Sequence, residues 1–386
     1  MPTFSPAVHD SLTWLTDSLE QVLDETLHLC QIPAPTFAEA TRAAYVAERM
    51  RALGLADVQT DSLHNVTGIL GAAGNGPTTL VVAHLDTVFP RATPLETRRT
   101  PQRLYGPGIG DNCVALAAIL QVATALSRLQ ADLPGRVIFA ASVGEEGLGN
   151  LCGIRALLET WQGQVDSVIA VEGHGIDEVR TIAIGSTRLE VTFTGPGGHS
   201  WGAFGTPSAI HALGSAIHHL TSIPVPDTPK TTFNVGIVEG GGSVNTIAPR
   251  ATMLVDLRSV DPDQLTQLEH RVAEVLEGVQ RETQVEVQSR VVGRRPAAAL
   301  AMEHPLCRGI TAIRHMLHLR PASGSAASTD ANLPLSLGIP AVCLGITRGA
   351  MAHTVQEYID IPPVDSGLKQ LLLTILHALH VQPQVA

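Results

Sequence analysis

Residues 136–147 read RVIFAASVGEEG. An apolar run of strand length, with no alternation, stops at a glycine and two adjacent glutamates. Apolar residues at successive positions need burial on both faces, the environment of an interior strand in a parallel sheet covered by helices. In such sheets ligands gather beyond the carboxyl ends of the strands. Glu145 and Glu146 therefore stand at the edge where a site would form. Adjacent side chains point to opposite faces of a strand, and lie about 100° apart on a helix. The pair can divide two tasks or form an ordinary charged turn, and this stretch alone leaves both open.

Similar apolar runs recur at TTLVVAH (78–84), DSVIAVEG (166–173) and AVCLGI (341–346). Helical patterns separate them: NCVALAAILQVATALSRL (112–129), GIRALLETW (153–161), 304–318 and a terminal segment near 365–380. Residues 8–54 also carry helical spacing, broken at Ile32-Pro33-Ala34-Pro35, and FAEATRAAYVAERMRALGL closes at Gly54. Strand and helix in alternation predict an α/β domain built on a mostly parallel sheet.

From about residue 186 the period changes. STRLEVTFTG (186–195), TTFNVGIVEGG (231–241) and ATMLVDLRSV (251–260) alternate apolar and polar positions, as antiparallel strands with one solvated face do. Helical segments at 208–220 and 263–280 lie between and after them, and EGGGSVN (239–245) reads as a hairpin turn. The chain is thus expected to have a discontinuous larger domain, 1–185 and 294–386. An α+β domain of antiparallel sheet and two helices, 186–293, is inserted into it.

With 386 residues and a formal charge of −11, the chain can bury a large core and lacks the basic stripe that nucleic acid requires. Its five cysteines are widely spaced with no C-x-x-C pair, which argues against a disulfide framework and against thiolate metal sites. MPTFSPAVHDSLTWL has no basic segment ahead of an apolar core, and no run of 18 apolar residues is present to span a membrane. The expectation is a soluble cytoplasmic protein.

At or just beyond the strand ends of the first domain stand His84 and Asp86, then Glu145-Glu146, then Glu172, and, past a loop, His353. The loop GPGIG leads to Asp111 at the start of a helix. Singly, each has a plain explanation: a core histidine, a helix N-cap for Asp111, a solvated turn, loop residues. Those explanations give no reason for imidazoles and carboxylates to collect at one sheet edge. Two histidines with several carboxylates suit Zn²⁺ or another divalent first-row metal, and suffice for two ions sharing a carboxylate. Hydrolysis also needs a base that is not a ligand, so neighbouring carboxylates can be split between the two tasks.

HLDTV (84–88), GPGIGD ending at Asp111, SVGEEG (142–147), EG (172–173), GPGGHS (195–200) and AHTVQEYI (352–359) together resemble the di-zinc aminoacylase, carboxypeptidase and deacetylase family, which includes peptidase T. STDANLPLSLGIPAVCLG (328–345) is most similar to the peptidase T-like branch. The resemblance spans nearly the whole chain. It implies two Zn²⁺ per subunit, with Co²⁺ or Mn²⁺ as substitutes. His84 and Glu172 would bind one ion, Glu146 and His353 the other, and Asp111 would bridge them. Asp86 would orient the His84 ring, and Glu145 would be the general base acting on a metal-bound water. The inserted domain would be a lid and a homodimer surface. His199 would reach into the partner subunit's site to polarise the scissile carbonyl, while Asn245 and Arg258 would hold a substrate carboxylate.

The chain departs from many members of the family directly after Asp111, where Asn112-Cys113-Val114-Ala115 replaces a Lys-Gly or similar pair. His174, His211, His218 and His219 match nothing in the pattern and read as structural or surface residues. The implied activity is hydrolysis of an amide bond in a small peptide, with N-acyl-amino-acid deacylation as the alternative. A third reading is a metal-stabilised binding protein without turnover, against which the retained Glu145 speaks.

Overall fold

In the computed structural model, residues 5–72, 74, 76–129 and 133–380 are described. The first four residues of the segment read for a leader lie outside them. The chain divides into two compact units, Met1–Ala183 with Ala299–Ala386, and Ile184–Ala298.

The first unit is organised by one sheet, nine-stranded among the described residues. Its centre is the expected parallel set, in the order Arg136–Ser142, Thr78–His84, Ser167–His174, Ala341–Thr347. Continuous apolar sequence has the anticipated cause. Val81, Phe139, Ile169 and Val342 join the core formed with the Val114–Ser127 and Val364–Ala378 helices. Leu80, Ile138 and Val168, one residue away, point to the opposite face and are equally buried. The helix-containing stretch Ile109–Ser127 is long and apolar enough to cross a membrane, but it is mostly buried in this core.

The flanks of the sheet depart from the parallel pattern. Ala56–Thr60 and Val66–Leu70 form an antiparallel hairpin that adds to Arg136–Ser142. Asp61 shapes its turn, its Oδ1 accepting from the backbone of Leu63 and Asn65 at 2.8 and 2.9 Å. At the other flank Val179–Ala183 runs antiparallel to Ala341–Thr347 and neighbours Ala298–Ala299 in the strand order. Leu300 donates its backbone N–H to the Thr181 carbonyl at 2.8 Å, so the chain leaves for the second unit and returns from it on adjacent strands.

A separate four-stranded ribbon, which no sequence pattern announced, joins Gly349–Ala350, Tyr358–Asp360, Arg103–Tyr105 and Arg98–Arg99. Tyr105 and Tyr358 are cross-strand partners with ring centroids 5.7 Å apart. Arg98 and Arg103 each lie over one of these rings, at 3.7 and 4.1 Å. The ribbon fastens the loop before Asp111 to the loop after His353.

In the second unit the four strands Thr231–Gly240, Arg250–Ser259, Gly185–Thr194 and Glu286–Arg295 are all antiparallel. Alternation in Arg250–Ser259 and Gly185–Thr194 puts Met253, Val255, Leu257, Val191 and Phe193 inward. They pack on Ala212, Ala216, Leu268 and Val272 from the helices Ala209–Leu220 and Pro262–Thr283. Asp261 caps the second helix, its carboxylate accepting from Gln264 N at 2.8 Å with Pro262 at the first turn. The Gly-rich segment after Thr231–Gly240 is longer than a tight hairpin. It runs through Thr246–Ile247, which pairs with Gly198–His199, before Ala251 closes against Gly240.

Candidate active site

His84 ends a strand whose neighbour ends at Ser142, and the two residues are register partners. Leu85 N donates to the Ser142 carbonyl at 2.6 Å, which aligns the two strand ends. On this edge the structure gathers His84, Asp111, Glu172, Glu146 and His353 into two trios that share Asp111. In each, one ligand atom per residue lies within 4.8 Å of the others: His84, Asp111 and Glu172 in one, Asp111, Glu146 and His353 in the other. His84 Nε2 is 3.0 Å from Asp111 Oδ1 and 3.8 Å from Glu172 Oε2. His353 Nε2 is 3.1 Å from both Asp111 Oδ2 and Glu146 Oε1.

Such contacts set the charge states. Burial opposes charge on His84, but bonds to Asp111, Asp86 and Glu172 outweigh it and hold the imidazolium well above the ordinary histidine range. The same burial would raise Asp111, yet His353 and His84 keep its carboxyl far below the usual carboxylate range. Asp111 and Glu146 push His353 up to about 10. Two cations stand where two divalent ions would satisfy the same oxygens. Imidazole nitrogen with carboxylate oxygen and no sulfur is a donor set for zinc and its first-row neighbours, and a shared carboxylate between two trios fits a dinuclear site.

Asp86 lies fully buried beneath this cluster. His84 Nδ1 donates to the Asp86 backbone carbonyl at 3.0 Å, with Asp86 Oδ1 at 3.4 Å. Its carboxylate takes the backbone N–H groups of Glu145 and Glu146 at 3.0 and 2.9 Å and the Thr36 hydroxyl at 2.9 Å. One side chain therefore bears on the His84 ring and on the backbone of both glutamates. Glu39 supports the same turn, accepting from Gly144 N at 3.1 Å. Gly144 has φ +62°, and a Cβ there would meet Cys152 Sγ at 2.4 Å, so the bend ahead of the glutamates requires glycine. Glu145 and Glu146 are both buried. Glu145 belongs to neither trio.

Asn112, the first residue of the departure from the family pattern, is buried and bonds on both sides of Glu172. It donates to the Val171 carbonyl at 2.8 Å and accepts from Gly173 N at 3.0 Å. Cys113 is buried and enters neither trio. His174, read above as structural or surface, bonds Glu357 at 2.8 Å. Sequence reasoning passed over Glu357, Thr36 and Glu39, and read Asn112 only as part of the departure from the family pattern. The only signal for Glu357 was its place in the AHTVQEYI motif, four residues beyond His353.

The remaining expected site residues are in the second unit. His199 is exposed and its Nδ1 accepts from Trp201 N and Gly202 N at 3.2 and 3.3 Å. Asn245 is its neighbour across the Gly198–His199 and Thr246–Ile247 pair, its carbonyl taking Ser200 N at 2.9 Å. Arg258 is elsewhere, its Nε donating to Asp256 Oδ2 at 2.6 Å. His199 and Asn245 sit by the Arg250 end of the Arg250–Ser259 strand, and Arg258 at its other end. Eight residues of extended chain separate Arg250 from Arg258, roughly 27 Å.

Residues 80–377 match Peptidase family M20/M25/M40. The chain is 27% identical over 380 residues to an acetylornithine deacetylase of Myxococcus xanthus, covering 92% of this chain and 93% of the relative. It is 24% identical over 361 residues to a putative succinyl-diaminopimelate desuccinylase of Mycobacterium tuberculosis, covering 90% and 96%. A tripeptidase from Staphylococcus aureus shares the fold with a TM-score of 0.77 at 23% identity, over 94% of this chain and 97% of that one. With more than half of its length matched, the chain belongs to peptidase family M20/M25/M40, a family of metal-dependent amide hydrolases.

Proposed function

We propose that the protein hydrolyses an amide bond next to a free carboxylate in a di- or tripeptide, with Glu145 as its general base. The observation that carries this is the sharing of Asp111 by two nitrogen–oxygen trios while the buried Glu145 beside them joins neither. His84 and Glu172 would hold one zinc ion, Glu146 and His353 the other, and Asp111 both; Co²⁺ and Mn²⁺ suit the same donors. The ions, when bound, supply Lewis acidity to the attacking water and to the substrate carbonyl.

The chain's own groups do the rest. Asp86 holds the tautomer of His84 through the Nδ1 bonds, leaving Nε2 for the ion. By fixing both glutamate N–H groups, it also keeps Glu145 and Glu146 turned to different tasks. Glu145 takes the proton of the attacking water and returns it to the leaving amine. Arg258 gives two-point recognition of the substrate carboxylate, which requires it to leave Asp256.

The inserted unit is proposed as a lid and homodimer surface. Thr231–Gly240 is an edge strand with adjacent Ile237 and Val238 about half exposed, whereas on the opposite edge, Glu286–Arg295, one comparably exposed apolar residue, Val291, stands among Glu286, Gln288 and Arg290. An apolar open edge invites a second strand, and a charged one discourages it. The distance between Arg258 and the His199–Asn245 pair suits a dimer in which each copy lends the pair to its partner's site. Five free thiols suit a reducing cytoplasm.

Deacylation of N-acyl amino acids is the second reading, favoured by the acetylornithine deacetylase relative. A panel of di- and tripeptides against N-acetyl amino acids, run on zinc-loaded protein, separates the two by kcat/KM. Glu145→Gln is expected to cut turnover about 10²–10⁴-fold with both ions retained. Unchanged turnover would remove Glu145 from the mechanism.

A further inference from the structure

Every expected ligand is carried on a loop or a strand end, yet the two trios need five residues from distant parts of the chain held within a few ångströms. Among the groups around them, Glu357 stands apart. It is fully buried. Its Oε2 accepts from Gly108 N at 2.8 Å, and its Oε1 from Gly110 N at 3.0 Å and Asp111 N at 2.9 Å. The backbone of GPGIGD thus folds around one carboxylate, an anion held by a concave row of N–H groups. Oε1 also lies 2.8 Å from His174 Nε2, which donates to it.

The sequence positions of these partners matter. Asp111 is itself bonded to Glu357, Glu172 is two residues before His174, and His353 is four residues before Glu357. The Glu357 carbonyl also accepts from Gly106 N at 3.0 Å, next to the pairing of Tyr358 with Tyr105. The site is built to admit the contact. A Cβ on Gly110 would meet His174 Nε2 at 2.2 Å and Glu357 Oε1 at 2.8 Å, and one on Gly349 would meet His174 Cε1 at 2.4 Å. Glycine at both positions leaves room for the ring to reach the carboxylate.

We infer that Glu357 is a positioning residue of the dinuclear centre: its carboxylate, with His174 as the link to the Glu172 segment, locks together the three segments that bear Asp111, Glu172 and His353. The inference rests on the reading of Asp111 as the bridging ligand. A carboxylate serves where an amide would not, because all four atoms facing it donate. Glutamine at 357 would turn an NH₂ group toward at least one of those donors. The backbone of Asp111 would then be free to shift, and with it the one ligand common to both ions. Groups that orient metal ligands typically govern affinity by 10–100-fold.

The test is calorimetric titration of metal-stripped protein with Zn²⁺, backed by the visible absorption of the Co²⁺ form and by melting of the metal-free protein. Wild type is expected to take up two ions; uptake of none would overturn the dinuclear reading itself, whatever the variants do. Glu357→Gln is expected to bind both ions about 10–100-fold more weakly and to alter the Co²⁺ spectrum, while its metal-free form still melts cooperatively as a folded protein. Zn²⁺ affinity within twofold of wild type, or a fall in melting with affinity intact, would reduce Glu357 to a fold-stabilising residue and overturn the proposal. Should Glu357→Gln fail to fold, His174→Asn decides. Weaker Zn²⁺ binding with an altered Co²⁺ spectrum supports the lock, and wild-type binding overturns it.

Discussion

The two units of this chain place ionisable residues by opposite rules. In the first, strands buried on both faces leave no room for charge along their length, so His84, Glu146 and Glu172 appear only at or just beyond strand ends. Parallel alignment puts those ends at one edge. In the second unit, antiparallel strands with one solvated face accept polar residues along their whole length. Arg258 is one of many there, already paired with Asp256, and His199 is exposed beside Trp201 and Phe204, which are 88% and 92% accessible. The comparison teaches that a parallel layer concentrates ionisable side chains at one edge, whereas an antiparallel face disperses them along its strands.

The hardest test of concentration is Asp111→Ala. Removal of the residue common to both trios is expected to abolish zinc retention after dialysis, measured by elemental analysis, together with all turnover. Retention of one full equivalent of zinc would show that the trios act independently.

Dispersion is tested by complementation. On the proposed homodimer, His199→Ala and Arg258→Ala are each expected to lose most activity. If His199 acts in the partner's site and Arg258 in its own, co-refolded mixtures regain about a quarter of wild-type activity, through heterodimers with one intact site. Mixtures no more active than their components would place both residues in the same site.

Charge provides a third probe. In the metal-free protein His84 and His353 are held protonated, the latter up to about 10, whereas a bound ion needs neutral imidazole. Zinc uptake near neutrality is therefore expected to release about two protons per chain, and apparent affinity to rise with pH. Titration in buffers of different ionisation enthalpy counts the protons. A raised pKa also sets the sign for stability. The contribution of charged His353 to the metal-free fold is complete below its ordinary 6.5 and lost as pH rises through about 10. Metal-free melting temperature should then fall over that window in wild type and less in His353→Gln. The smallest effect is expected at Cys113, whose thiol is buried and enters neither trio. Cys113→Ser should leave zinc content unchanged by elemental analysis, and a loss would assign the thiol a part in holding metal.

Much of the first unit was legible because a fully buried strand writes itself as an uninterrupted apolar run, and its end as the first charge. The hairpin Ala56–Thr60 with Val66–Leu70 was not, since ADVQT is mostly exposed and carries neither a continuous nor an alternating pattern. Nor was the ribbon around Tyr105 and Tyr358, whose strands are too short to show a period. The candidate ligands were legible as types at strand ends. What holds them was not, because Asp86 to Glu145 and Asp111 to Glu357 are contacts between a side chain and a distant backbone amide. A backbone amide has no sequence signature. His174 was set aside because it matches nothing in the family pattern, and its partner, the Glu357 carboxylate, is 183 positions away.

The chain departs from the main sheet at Ala183 and resumes at Ala298–Ala299, next to Val179–Ala183 in the strand order, with Leu300 bonded back to Thr181. Exit and return are thus neighbours, and the first unit's connectivity is complete without anything between them. A short turn in place of 184–298 would leave every strand neighbour of the first unit's core, and both trios, on the same chain. In evolutionary terms the second unit could be exchanged at one doorway without moving any residue of the two trios.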